Sequence, residues 1–244
     1  IPKTVDNDLP YTDCSPGFGS VAKYIATSTL EAGLDVKSMA ETSTKVFILE
    51  VMGRHAGWIA AASCLAATKA GDPPHIILLP EVPFEKTKFI TQVKQTVKEQ
   101  GYCVIVASEG TQTKNGKFLA DSGLTDAFGH KQLGGVAPVL AGMISKIGLK
   151  NHWAVADYLQ RSARHLASKT DLDQAYAVGE HAVKLAIAGK TALMPIIKRT
   201  SDSPYKWKIA TAPLKNVANI EKTMPKKFIS KNGFEITQAG KTYL

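Results

Sequence analysis

Reactive side chains are concentrated in the first residues of the chain. Residues 2–8, PKTVDND, place a lysine, a threonine hydroxyl and two carboxylates close together. Transfer of a phosphoryl group to an alcohol needs a carboxylate to accept the hydroxyl proton, cations to offset charge, and donors that fix the oxygens. This segment contains a candidate for each of these tasks. Taken alone, it is more typical of a turn whose Asp and Asn side chains bind their own backbone.

Three further polar segments follow apolar runs of strand length. Residues 52–54, MGR, precede an alanine-rich stretch, where a helix N-terminus and an arginine could hold a phosphate, or where the chain simply turns beside a surface arginine. Glu109 ends the run CVIVAS and could accept hydrogen bonds from sugar hydroxyls, or be an exposed loop acid. Residues 158–161, YLQR, offer a phenol and a guanidinium that could pair with a phosphate.

Segments of two kinds alternate along the chain, which predicts an α/β protein with parallel strands joined by helices. The predicted strands are residues 45–52, 75–82, 103–110 and 193–197, with an extended segment at 152–160. A first helix is predicted to begin with Ser15 as its N-cap and Pro16 in its first turn, and to stop before Gly33. Further helices are predicted at residues 54–70, 85–100, 136–147 and 171–188. Residues 111–135 are predicted to be a long loop, and little structure is assigned after Thr200.

Composition limits the possible functions without choosing among them. Hydrophobic residues make up 44% of the chain and charged residues 21%, which is typical of a globular protein. The net charge of +9 would attract nucleic acids, anionic membranes or phosphorylated ligands alike. No nucleic-acid-binding module, membrane-spanning run or signal segment is recognisable, so we expect a cytoplasmic protein without those partners. Cys14, Cys64 and Cys103 lack ligand spacing and are predicted to be buried free thiols.

Together, the four polar segments resemble the phosphofructokinase family in order, spacing and placement. The family's Pro-x-Thr-Ile/Val-Asp-Asn-Asp loop matches residues 2–8, and its Met-Gly-Arg matches residues 52–54. Its sugar-binding glutamate matches Glu109, and its Tyr-Leu-Gln-Arg form matches residues 158–161. The resemblance extends over essentially the whole chain and is closer to the pyrophosphate-using branch than to the bacterial allosteric enzymes.

The resemblance implies a role for each matching residue. Asp6 would be the general base on the 1-hydroxyl of the sugar, and Arg54 would stabilise the developing charge, with Lys3 as a third catalytic residue. Asp8 would lie against the magnesium ion that accompanies the transferred phosphoryl group. The implied substrate-binding residues are Thr4, Val5, Asp6, Met52, Gly53, Arg54, Glu109, Tyr158 and Arg161, the last two at the 6-phosphate.

Lys3 bears on the identity of the phosphoryl donor. ATP-using bacterial relatives carry glycine at the matching position, whereas pyrophosphate users carry an ammonium that can offset the charge of a compact donor. Some ATP-using relatives also carry this lysine, so ATP stays an alternative. The family's Gly-Gly-Asp donor loop does not occur in these 244 residues, and the chain opens on Ile1. We therefore expect an upstream segment that supplies the main magnesium ligand.

The resemblance also implies the architecture and the reaction. The expected fold is Rossmann-like α/β, with parallel sheets flanked by helices in an incomplete two-lobed molecule. Residues 1–14 would end the donor lobe, residues 15–150 would mainly build the sugar-phosphate lobe, and residues 151–244 would be shared between the lobes. The implied enzyme is a homo-oligomer that uses pyrophosphate and magnesium to phosphorylate fructose 6-phosphate in glycolysis. The alternative from another class is a non-catalytic phosphosugar-binding subunit.

Overall fold

The computed structural model describes residues 1–125, 131–133 and 135–244 and has an α/β architecture. The helices are α1 (Phe18–Met39), α2 (Trp58–Ala62), α3 (Lys86–Gln100), α4 (Val136–Ser145), α5 (Leu159–Ser162), α6 (Lys169–Ile187) and α7 (Gln238–Tyr243). The strands are β1 (Val46–Val51), β2 (Ile76–Leu78), β3 (Cys103–Ser108), β4 (Asp121–Thr125), β5 (Lys131–Leu133), β6 (Asn151–Val155), β7 (Leu193–Asp202) and β8 (Tyr205–Pro213).

Four parallel strands form the central sheet in the order β2-β3-β1-β6. Alternate side chains of β1 point to opposite faces, so Leu49 packs with α1 and α2 while Ile48 packs with α3 and α4. Helices on both faces bury the two central strands, which accounts for their continuous apolar sequence. The predicted fold class, a parallel sheet flanked by helices, is confirmed.

The N-terminus of α1 is capped from a distant helix rather than by its own sequence. The predicted N-cap at Ser15 is wrong, because the helix begins one residue after Gly17 and the buried Ser15 hydroxyl has no partner among the described residues. The carboxylate of Asp171, on α6, accepts hydrogen bonds from the backbone N–H of Gly17 (2.7 Å) and of Ser20 (3.1 Å). A tertiary contact therefore satisfies the free N–H groups of this helix.

Gly33 lies inside α1, which runs on to Met39, so the prediction that the helix stops before this glycine is wrong. A Cβ at Gly33 would come within 2.5 Å of Pro73. The glycine therefore permits close approach of a neighbouring loop instead of ending the helix.

Three other predictions of secondary structure are also wrong. The helix predicted at residues 54–70 is only α2 and a 3₁₀ turn, Ser63–Ala66. The predicted loop at residues 111–135 contains β4 and β5, with residues 126–130 and 134 outside the described part of the chain. The tail after Thr200, to which little structure is assigned above, contains the end of β7 and all of β8. These two strands pair along their length as an antiparallel hairpin outside the central sheet.

The cysteines are free, as predicted, although only Cys64 and Cys103 are fully buried and Cys14 is partly exposed. Within the ranges that the structure describes, no helix has both the length and the apolar character needed to cross a bilayer.

The cap on α1 leads to a stability prediction. Asp171→Ala should lower the free energy of unfolding by about 1–3 kcal/mol, because it leaves the N–H groups of Gly17 and Ser20 without an acceptor. Asp173→Ala is the matched control, since this exposed carboxylate on the same helix has Lys169 as its ion-pair partner in the described structure and should contribute at most about 0.5 kcal/mol. Urea denaturation measures both, and equal losses would contradict the capping role.

Candidate functional site

Three neighbouring strands bring the predicted site segments to one edge of the sheet. Residues 52–54 follow β1, Glu109 follows β3 on one side, and the turn into α5 follows β6 on the other. The backbone N–H of Glu109 donates to the carbonyl of Val51 (2.9 Å), and the N–H of Gly53 donates to Oε1 of Glu109 (3.3 Å). Ligands of open α/β sheets bind at this carboxyl edge.

Two glycines let these segments pass in close contact. Gly53 has a φ of 130°, which an L side chain rarely adopts, and its carbonyl accepts a hydrogen bond from the Ser108 hydroxyl. A Cβ at Gly110 would lie 1.9 Å from the backbone oxygen of Arg54. The position of the Arg54 backbone therefore depends on the absence of a side chain at residue 110.

Gln160 ties the third segment to the first. Its side chain is buried, with Oε1 accepting from the N–H of Met52 (3.3 Å) and Nε2 donating to the carbonyl of Asp157 (2.8 Å). The predicted extended segment is wrong beyond Val155, because Asp157 has a φ of 39° and α5 begins two residues later. The role of Gln160 was not predicted, although the residue lies in a motif that was.

Tyr158 and Arg161 lie beside each other on the exposed surface of this turn. The Arg161 guanidinium carbon is 4.2 Å from the centroid of the Tyr158 ring, which is cation–π geometry. Stacking on the face of a ring leaves the N–H edge of a guanidinium available to an anion. The positive charge of Arg161 also acts on Asp6, where it partly opposes the rise in pKa that burial and Asp8 cause.

In the loop at residues 4–8, hydrogen bonds hold the backbone, while two carboxylates accept none from the described residues. Thr4 Oγ1 accepts from the N–H of Asp6 (3.1 Å), which is the local bonding expected of a turn. Asn7 is fully buried with a φ of 57°, and its Oδ1 accepts from the N–H of Ser15 (3.1 Å). The carboxylates of Asp6 and Asp8 accept no hydrogen bond from the residues described. They remain available to a ligand.

Asp6 has the acid–base property that a general base requires. Burial, and then the negative charge of Asp8, raise its pKa to about 6, against the opposing effect of Arg54, Arg161 and His55. A carboxyl with this pKa is mostly ionised at neutral pH and accepts a proton more readily than an ordinary aspartate. The same charges show that Asp6, Arg54 and Arg161 are electrostatic neighbours.

Glu109 and Arg54 complete this arrangement. Burial raises the pKa of Glu109, the Gly53 N–H opposes the shift, and the charge of Asp6 adds to it. The Nε of Arg54 is buried and lacks a hydrogen-bond partner within the described part of the chain. A buried charged donor without a partner is costly, and an anionic ligand would supply the missing acceptor.

Lys3 and Val5 differ from their neighbours in the loop. The Lys3 side chain is exposed and makes no ion pair or hydrogen bond to any residue described. Val5 packs against the core beside α1, where a Cβ at Gly17 would lie 3.1 Å from its Cγ1. Part of the Val5 side chain is therefore used in packing. No ion pair or hydrogen bond within the described part of the chain therefore links Lys3 to the other predicted residues.

Asp6 and Asp8 are the carboxylates of this site that could contact a metal ion. Among residues 1–125, 131–133 and 135–244, no three His, Cys, Asp or Glu side chains are arranged to hold one. The charge of Asp8 raises the pKa of Asp6, so the two carboxylates repel each other, and a divalent cation would relieve this repulsion. Magnesium is typically bound by one or two carboxylates together with phosphate oxygens, which this pair fits.

A second group of residues at the site was not predicted from the sequence. His55 Nδ1 lies 2.5 Å from Oε1 of Glu221, and the backbone N–H of Lys222 donates to the carbonyl of Asp8 (2.6 Å). Both partners come from the tail after β8, in which no motif or periodic spacing marks them.

Comparisons with known proteins agree with this geometry. A family model described as Phosphofructokinase matches residues 1–186. The pyrophosphate–fructose 6-phosphate 1-phosphotransferases of Halomonas elongata and Methylococcus capsulatus are 66% and 59% identical over 245 residues, covering all of this chain and 58% of each relative. The crystal structure of pyrophosphate-dependent phosphofructokinase from Marinobacter aquaeolei has a TM-score of 0.89 at 61% identity, with coverage of 100% and 58%. The chain therefore spans less than two thirds of the length of these relatives.

The contact between the β1 and β3 turns leads to a prediction. Gly110→Ala should lower the free energy of unfolding by about 2 kcal/mol or more, because the new methyl group must displace the backbone of Arg54. Gly142→Ala, in open space on α4, is the control and should be neutral or stabilising by up to about 1 kcal/mol. Urea denaturation compares them, and a tolerated Gly110→Ala would contradict the contact.

Proposed function

The chain belongs to the phosphofructokinase family, and from this premise we propose that the intact protein transfers a phosphoryl group from pyrophosphate to the 1-hydroxyl of fructose 6-phosphate. The products would be fructose 1,6-bisphosphate and phosphate, in glycolysis. The observation that carries the proposal is the environment of Asp6, a carboxylate with a pKa of about 6 that is electrostatically coupled to Arg54. The coverage of the whole of this chain by relatives named for pyrophosphate supports the choice of reaction.

Asp6 would act as the general base. As the 1-oxygen attacks the donor phosphorus, the hydroxyl proton passes to an oxygen of Asp6, and the bond from phosphorus to the bridging oxygen of pyrophosphate breaks. Arg54 would offset the charge on the transferred group with a guanidinium that has a free, buried N–H. Asp8 and Thr4, each two residues from Asp6, would lie against the transferred phosphoryl group and its magnesium ion. The ion would offset the charge of the donor phosphates.

The sugar would bind along the sheet edge. One oxygen of Glu109 already accepts the N–H of Gly53, which orients the carboxylate and leaves its other oxygen for a sugar hydroxyl. Met52 and Gly53 would supply backbone contacts beside it. Tyr158 and Arg161, exposed at the end of the neighbouring strand, would bind the 6-phosphate.

Pyrophosphate is the proposed donor because the two relatives compared above carry it in their names and because Lys3 is free to meet it. An exposed ammonium without a partner among the described residues can offset the charge of a compact leaving group. ATP is the alternative donor.

We further propose a cytoplasmic homo-oligomer, with residues 1–14 in a donor lobe, residues 15–150 mainly in a sugar-phosphate lobe, and residues 151–244 shared between the lobes. A non-catalytic phosphosugar-binding subunit would have no need for an ionised base coupled to an arginine, so the environment of Asp6 favours the enzyme.

The role of Asp6 can be tested in the intact protein. Asp6→Asn should reduce turnover by about 10²–10⁴-fold while fructose 6-phosphate still binds in calorimetry. Because the base must be ionised, kcat/KM of the unmodified enzyme should fall as the pH drops through about 6. Asp35→Asn, at an exposed acid on α1, is the control and should change neither quantity. An Asp6→Asn enzyme with near-native turnover would exclude the role.

The donor assignment depends on a separate comparison. Steady-state rates with pyrophosphate and with ATP, at matched magnesium, should favour pyrophosphate. Lys3→Gly should lower turnover with pyrophosphate more than it weakens fructose 6-phosphate binding, and Lys3→Arg should retain more activity because it keeps the charge. A clear preference of the unmodified enzyme for ATP would overturn the donor and leave the family assignment unaffected.

A further inference from the structure

Lys222 places an ammonium group beneath the loop that carries Asp6 and Asp8. Its Nζ lies 3.2 Å from Oδ1 of Asn7, 3.1 Å from the carbonyl oxygen of Thr12 and 3.0 Å from that of Asp13. An ammonium has three N–H donors, and these three oxygens can accept all of them. Lys222 is therefore held by the loop and the residues just after it.

The backbone of Lys222 joins the same loop to the start of α2, the helix that follows Arg54. Its N–H donates to the carbonyl of Asp8 (2.6 Å), and its carbonyl accepts from the indole Nε1 of Trp58 (2.7 Å). Trp58 is buried and begins α2, four residues after Arg54. One residue of the tail thus contacts the loop that carries Asp6 and the start of the helix that follows Arg54.

Asn7 is the part of the loop whose conformation most needs support. It lies between the two carboxylates, and its left-handed φ of 57° is uncommon for a residue other than glycine. Its side-chain oxygen is shared by the N–H of Ser15 and the ammonium of Lys222. These two donors oppose relaxation of the loop to an ordinary backbone conformation, which would redirect Asp6 and Asp8.

The ammonium of Lys222 is largely enclosed, which has a cost that its hydrogen bonds must offset. Burial lowers the pKa of Lys222 to about 8, which reflects the cost of enclosing its charge. An apolar side chain of similar volume would avoid that cost, but it would leave three oxygens without the donor that Lys222 supplies. What an apolar side chain could not do is bind the amide oxygen of Asn7 and the two carbonyl oxygens together.

We propose that Lys222 is a positioning residue for phosphoryl transfer, whose ammonium holds Asn7 so that the neighbouring Asp6 faces Arg54 at the sheet edge. The proposal rests on the proposed function, since it concerns the same reaction. Lys222 acts through Asn7 and makes no described contact with the carboxylate of Asp6.

The test is made in the intact protein with fructose 6-phosphate and pyrophosphate. Lys222→Met should reduce kcat by about 10–10²-fold, the effect expected when reacting groups are misplaced by about 1 Å. The dissociation constant of fructose 6-phosphate in calorimetry should change less than about twofold, because Glu109, Tyr158 and Arg161 follow β3 and β6 and make no described contact with Lys222. Lys226→Met, at an exposed lysine four residues on, is the control and should leave both values unchanged.

A double-mutant cycle separates positioning from general destabilisation. If Lys222 acts through Asn7, the loss of turnover in the Lys222→Met, Asn7→Ala double variant should be close to that of the more impaired single variant. Rates are compared per folded molecule, well below the melting temperature of each variant. Additive losses in ln kcat, or an unchanged kcat in Lys222→Met, would overturn the proposal.

Lys222→Gln provides a second measurement if Lys222→Met does not fold. Its shorter amide retains two N–H donors, so turnover should be intermediate between the wild type and the Asn7→Ala variant, and native turnover in Lys222→Gln would overturn the proposal. An active wild type with unaffected Lys222 variants would refute the positioning role alone. A wild type inactive with both pyrophosphate and ATP would refute the proposed function, and the positioning role with it.

Discussion

The parallel pairing of β1 with β3 and β6 is the constraint on which the candidate site depends. Val51 is aligned with Ser108 and Glu50 with Val155, so the three strands end at the same edge. Residues 52–54, Glu109 and the turn into α5 are far apart in sequence and become neighbours only through this register. A shift of one residue would also exchange the two buried faces of the strand, so the core on both sides of the sheet opposes it.

Carboxylates in this structure divide into two groups by what their oxygens accept. Glu50 accepts from the N–H groups of Gly135 (2.9 Å) and Ala137 (2.8 Å) at the start of α4, and Asp171 performs the same task for α1. These charges are buried but satisfied, and they fix helices to the sheet and to each other. Asp6 and Asp8 are enclosed near each other without such donors. Burial, and then the negative charge of Asp8, raise the pKa of Asp6, and no hydrogen bond from the described residues opposes this shift.

Elements with a strong period were predictable, and elements determined by distant contacts were not. The central strands β1 and β3 and helices α3 and α4 lie within a few residues of their predicted bounds, because burial imposes a clear apolar pattern on them. The predicted N-cap of α1 was wrong because the carboxylate that caps this helix, Asp171, lies more than 150 residues away, on α6. The β7–β8 hairpin was missed beyond its apolar start, although residues 205–209, YKWKI, alternate apolar and polar side chains as a half-exposed strand does.

The same distinction applies to the site. Residues proposed to meet substrate must present a particular group, such as a carboxylate that can take a proton or a guanidinium that can bind phosphate, so Asp6, Arg54 and Arg161 could be selected by type. A supporting residue needs only to place a donor near an oxygen, and it can come from any part of the chain. Lys222, in the tail, binds the side-chain oxygen of Asn7, and Gln160, within a motif, binds the N–H of Met52. Each pair is brought together only when the chain folds. Their spacing along the chain therefore carries no signal, and only the three-dimensional arrangement identifies them.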